Sequence, residues 1–206
     1  MLSNSGHAFW SIRPTRDRTA DYASAMQFDV NRPMEPDPYS VLPRVPAFTL
    51  TSADVTDGDP LHVAQTEEGG DIMPHLSWSG FPEQTRSFLV TVYDPDAPMP
   101  GGFWHWLTAD VPVEITSVAG GQPSSVVAQP FGSTAVYLPN SADIHGFMGA
   151  APPPGDRTHR YFFAVHALDV EHLDLPDGDQ TAPADVAVAA VPHTIARAVI
   201  CGTHRR

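Results

Sequence analysis

Ser87-Phe88-Leu89-Val90-Thr91-Val92-Tyr93-Asp94-Pro95-Asp96-Ala97-Pro98 is the stretch that decides the fold. Phe88 to Tyr93 is apolar, β-branched and of strand length, and it runs straight into two carboxylates fixed by two prolines. Proline restricts the backbone, so these charges stand at a stiff strand end rather than on a loose tether. That placement reads as the rim of a pocket. His105 follows between Trp104 and Trp106, and a second polar cluster, His159-Arg160-Tyr161, opens another apolar run through Leu168.

Working outward, short runs of the same kind recur between turn signals. Val45 to Ser52 leads to Asp57-Gly58-Asp59-Pro60, Leu76 to Trp78 leads to Gly80-Phe81-Pro82, and Trp104 to Val111 leads to Pro112. With 22 prolines and 15 glycines at the breaks and no helix-length pattern between the strands, an all-β sandwich is favoured over a parallel α/β sheet. Asn140 to Gly155 has no regular period and reads as a functional loop. Near the end, Val188, Val191, Ile195 and Val199 recur at helical spacing, predicting a helix over 185–198 despite Pro192, then a short strand at 199–202. Residues 1–36 show neither period and read as a flexible extension before one domain at 37–206.

The charge balance is acidic, 24 Asp and Glu against 11 basic residues, all of them Arg. A net charge of −13 disfavours nucleic acid and anionic membrane surfaces as partners. Cys201 is the single cysteine, which excludes an internal disulfide framework and suggests a buried small hydrophobe. No signal-like apolar segment or membrane-length run occurs, so a soluble cytoplasmic protein without stable membrane insertion is expected.

Alternation along a strand puts His159, Tyr161 and Phe163 on one face and Arg160 and Phe162 on the other, while His105 shares a face with Phe103. Two imidazoles, a phenol and an Asp then form a donor set for a small anion. The second carboxylate opposes such a site unless one Asp orients an imidazole N–H and burial lets the other keep a proton and donate. Arg160, from the opposite face, suits a bidentate contact that neutralises an Asp from behind. Taken singly, Asp94 reads more readily as a turn residue and His105 as a hydrogen-bonded core histidine. A metal centre from Asp94, Asp96, His105 and His159 lacks a diagnostic spacing, and GxSxG, GxxxxGK[ST] and GxGxxG are absent. The expectation is therefore a non-covalent anion pocket with no cofactor and no metal.

Asp94-Pro95-Asp96-Ala97-Pro98, Phe103-Trp104-His105-Trp106, Pro152-Pro153-Pro154-Gly155 and His159-Arg160-Tyr161, in that order, resemble the phosphatidylethanolamine-binding protein family, which includes the Raf kinase inhibitor proteins. The pattern looks closest to the bacterial and archaeal branch. Pro74-His75-Leu76-Ser77-Trp78 followed by Pro82, and the closing segment 198–203, are similar too, so the resemblance spans residues 37–204. It implies a sandwich of two antiparallel sheets with Greek-key topology, to which the periodicity adds a short C-terminal helix. It also implies a surface cavity for phosphate or a phosphoryl headgroup at Asp94, Asp96, Pro98, His105, Pro152, Pro153, His159 and Tyr161. A cis bond at Ala97-Pro98 is implied as well.

Two departures bear on ligand choice. Gly146-Phe147-Met148-Gly149-Ala150-Ala151 stands where relatives often carry Gly-Tyr-Gly-Gly-Pro-Cys, giving a more apolar lining, and Phe103 replaces a frequent Trp. The implied function is a non-enzymatic binding protein for a small anionic or phosphoryl-bearing ligand, with a homodimer as the suspected assembly. The alternative is an interaction module that inhibits a protease or kinase. A hydrolase using Asp94 and His105 ranks last.

Overall fold

The structure, a computed structural model, describes residues 29–126 and 129–206; the expectation for residues 1–28 lies outside them. Two antiparallel sheets face each other. The smaller holds β1 (Thr49–Thr51), β2 (Leu76–Ser79) and β5 (Ser117–Val118) in the order β1-β2-β5. The larger holds β3 (Ser87–Asp94), β4 (Phe103–Pro112), β6 (Val136–Tyr137), β7 (His159–Leu168) and β8 (Thr194–His204), ordered β6-β4-β3-β7-β8. Within it β7-β3-β4-β6 has the Greek-key order, the fourth strand returning beside the first.

The larger sheet is covered on both faces, which explains why Phe88 to Tyr93 is almost continuously apolar rather than alternating. Phe88, Val90 and Val92 point inward with Trp106 and Phe163, against Leu76 and Trp78 of the smaller sheet. Leu89, Leu107 and Leu168 point outward and pack beneath the one α-helix among the described residues, α1 (Pro183–Ala190), through Val186 and Ala190.

The end of the chain corrects the predicted helix. α1 starts on Pro183, where a missing N–H is harmless, and stops at Ala190. Val191–His193 forms a single 3-10 turn containing Pro192, and β8 begins at Thr194. Pro192 supplies no N–H to continue the α-helical ladder. Ile195 and Val199 lie in β8, where Ala196, Ala198 and Ile200 point into the core while Thr194 donates its hydroxyl to the Ala190 carbonyl of α1, and Val188 is 71% exposed. The helix is thus followed by a strand of 11 residues that contains the short one expected at 199–202.

Two further expectations change. No cis peptide bond occurs among the described residues, so Ala97-Pro98 is trans. The Met99 N–H donates to the Ala97 carbonyl at 2.7 Å, closing a three-residue turn for which the fixed φ of Pro98 is suited. The Arg157 side chain donates to the carbonyls of Arg32 and Pro33, so that segment contacts the rest of the described chain. Cys201 is partly rather than fully buried; burial still raises its thiol pKa to about 11, which leaves little thiolate at neutral pH.

Candidate functional site

Asp94 ends β3 and is buried, so its carboxylate must be satisfied locally. Oδ1 accepts from the Asp96 N–H at 2.8 Å, the link that folds the Asp-Pro-Asp turn back on itself. Oδ2 lies 2.7 Å from Nδ1 of His159, the first residue of β7. The other ring nitrogen, Nε2, lies 3.0 Å from Oδ2 of Asp156. Both nitrogens face carboxylates and both must donate, so His159 is an imidazolium. Burial works against that charge, yet Asp94 and Asp156 overcome it and hold the His159 pKa above its ordinary value.

A ring of guanidinium groups stands behind. Arg160 grips Asp96 with Nε at 2.7 Å and Nη2 at 3.0 Å, the bidentate contact expected of it, and Arg157 adds Nη2 at 2.9 Å. Arg32 holds both oxygens of Asp156, at 2.6 and 2.8 Å, and reaches the Asp96 carbonyl at 2.9 Å. Burial alone would raise the Asp156 pKa, but Arg32 and His159 hold it far below the usual carboxylate range. Asp94, Asp96 and Asp156 thus face Arg32, Arg157, Arg160 and the His159 imidazolium, and three negative charges against four positive leave one positive charge in excess.

In front lies a cavity of about 270 Å³. Asp94, Pro98, His105, Pro152, Pro153, His159 and Tyr161 all line it, bringing together seven of the eight expected residues. Asp96 is the exception. It sits behind the wall with both oxygens accepting from arginines, which corrects the expectation that one of the two Asp residues donates to a ligand. His159 also needs restating: it lines the cavity, but both of its N–H groups are already given to carboxylates.

The groups left for a ligand are therefore His105 and Tyr161. His105 is buried on β4 and donates Nδ1–H to the Met148 carbonyl at 2.9 Å, which leaves Nε2 without a partner among the described residues. Burial lowers its pKa, with Asp94 opposing, so the free ring is neutral. Its ring meets Tyr161 edge-on at 5.2 Å between centroids. The Tyr161 hydroxyl is buried and makes no hydrogen bond among the described residues. Burial, then the charge of Asp94, push its ionisation far upward, so it remains a donor.

Met148 and Ala151 complete the wall and confirm the apolar loop lining, and Met99 and Phe103 add to it. Asp156, Arg157 and Arg32 were not legible as site residues. For Asp156 the one local signal is its i,i+3 spacing to His159. Arg32 has none, since 124 residues separate it from Asp156.

A family model described as "Phosphatidylethanolamine-binding protein" matches residues 51–205. The UPF0098 protein YbhB of Escherichia coli (strain K12) is 44% identical over 136 residues, covering 63% of this chain and 83% of the relative. The putative lipoprotein LppC of Mycobacterium tuberculosis (strain ATCC 25618 / H37Rv) is 34% identical over 158 residues, covering 76% of this chain and 73% of LppC. The crystal structure of E. coli YbcL, described as a new member of the mammalian PEBP family, superposes with a TM-score of 0.71. Its identity is 35%, covering 77% of this chain and 98% of YbcL.

Proposed function

The chain belongs to the phosphatidylethanolamine-binding protein family, and from that premise we propose that it is a non-catalytic binding protein whose cavity takes a small anion, phosphoryl groups first among them. The observation that carries this reading is the Tyr161 hydroxyl, buried in the cavity wall without a partner among the described residues. Such a group costs about 1–3 kcal/mol unless something hydrogen-bonds to it. A ligand oxygen that accepts from the Tyr161 hydroxyl removes that cost and finds a positive field from the charge cluster behind, and Nε2 of His105, an acceptor in the free protein, meets it through a proton that arrives with the anion. Asp94 does not repel it strongly, because its oxygens already accept from the Asp96 N–H and from His159.

The non-catalytic part of the proposal rests on the lining. Asp94 and His159 are locked to each other and to fixed partners, Tyr161 supplies the cavity a hydroxyl, and no serine, threonine or cysteine among the described residues lines it. No helix among the described residues is long and apolar enough to cross a membrane.

Calorimetric titration with phosphate, phosphorylethanolamine and acetate tests the ligand class. The two phosphoryl compounds are expected to bind more tightly than acetate, and Tyr161→Phe to weaken them about tenfold, the equivalent of one hydrogen bond of about 1.4 kcal/mol. No binding of either phosphoryl compound, or unchanged affinity in both Tyr161→Phe and His105→Ala, contradicts the proposal. Turnover of a phosphoester that disappears in His105→Ala would instead support the hydrolase reading.

A further inference from the structure

The outer face of the larger sheet carries a second cavity, of about 150 Å³, between β3, β4, β7, β8 and the segment that runs from α1 into Val191. It shares no lining residue with the first. Leu89 and Leu107 form its floor, Ala187, Ala190 and Val191 its roof, and Tyr39 and Leu42 one side. Beside Tyr39, Trp104 and Thr194, three polar groups interrupt this apolar wall. Thr91 is buried, and its Oγ1 lies near enough to the Tyr39 hydroxyl to temper that phenol's pKa, but it closes no hydrogen bond of good geometry. His166 is buried opposite Arg197 on β8 and accepts from Arg197 Nε through Nδ1 at 3.3 Å. That contact leaves the imidazole neutral with its proton on Nε2. Burial and the Arg197 charge push the His166 pKa down to about 3.

The third group is Arg197 itself. Its guanidinium stacks over the Tyr39 ring at 4.9 Å and forms no ion pair among the described residues. A half-buried cation beside apolar walls is poorly solvated, and the fork of a guanidinium fits a carboxylate in two places. We propose that this cavity binds a monocarboxylate with an apolar body of roughly benzene size, its carboxylate on Arg197 and its body against Leu89, Leu107 and Val191. An apolar cavity of about 150 Å³ is large enough to hold benzene. The Thr91 hydroxyl and the His166 Nε2–H offer further donors to the carboxylate. A phosphate dianion is the wrong occupant, since the same walls would have to desolvate a second charge.

The test is a 1H–15N NMR titration of the full chain with sodium benzoate, with benzyl alcohol as the neutral comparison. Benzoate is expected to give saturable shifts at Thr91, His166 and Arg197 and none at His105 or Tyr161, with benzyl alcohol at least tenfold weaker. Arg197→Gln should erase the preference for the anion, and Ala187→Phe, which fills the cavity from α1, should abolish binding while the spectrum keeps its folded dispersion. The proposal is overturned by no saturable shift with benzoate, by equal affinity for the two compounds, by shifts confined to His105 and Tyr161, or by binding unchanged in Ala187→Phe.

Discussion

At the scale of residues, Asp156 sets the charge of the site although no short motif marks it. It accepts from both Arg32 and His159 while fully buried, so its removal strands a cation on each side. Asp156→Asn is expected to lower the unfolding free energy by about 3 kcal/mol, the usual consequence of breaking a buried ion pair. Urea unfolding measures this, and an unchanged midpoint and slope would contradict it. Two histidines shape the pH dependence with opposite signs. The pKa of His159 is raised by folding, so its stabilisation is complete below the ordinary value of 6.5 and is lost as pH rises through the folded value. That of His166 is depressed to about 3, so its contribution is complete above 6.5 and is lost as pH falls toward 3. Stability measured across the acid range should therefore decline less steeply in His166→Gln than in the wild type, and parallel curves would count against this assignment.

At the scale of elements, what was legible followed from short-range rules. The two-residue alternation placed His159 and Tyr161 on one wall and Arg160 behind it, because β7 keeps its register with β8 from His159 to Ala167 and with β3 from Phe162 onward. The Asp-Pro turn marked a cavity rim, since proline stiffness is a local property. The helix was misplaced because apolar residues of α1 and of β8 happen to fall at spacings of three and four across Pro192. Periodicity cannot separate two elements joined by a single tight turn. Gly102 opens the way into β4 at φ +63, and a Cβ there would meet the Asp94 carbonyl at 2.5 Å and the Tyr93 hydroxyl at 2.6 Å. Gly58, at φ +83, faces open space. Gly58→Ala should therefore lose about 1 kcal/mol, the conformational term alone. Gly102→Ala should lose more and also weaken phosphate binding by displacing Asp94. Equal thermal midpoints for the two variants would refute the steric part of this account.

At the scale of the molecule, the net charge of −13 and the single excess positive charge of the site point in opposite directions. The cluster is shielded from water, so its local field acts on a bound ligand while the acidic surface governs encounters at longer range. This separation was hidden from the sequence because it depends on Arg32, which meets Asp156 only after the whole sandwich has closed. The suspected homodimer belongs to the same scale. Sedimentation velocity should find a mass near twice that of the 22.2 kDa chain, and a single monomeric boundary at all concentrations would remove the dimer from the account.

The central claim is that Tyr161 and His105, whose ring is neutral until the anion brings a proton to Nε2, receive the anion while His159 stays locked between carboxylates. Long-range 1H–15N spectra of the imidazole nitrogens during a phosphate titration test it most directly. The account predicts that the His105 Nε2 resonance moves from an unprotonated to a protonated position as phosphate saturates, with both His159 nitrogens protonated throughout. A His105 signal indifferent to phosphate, or a His159 nitrogen that is unprotonated in the free protein, would contradict it.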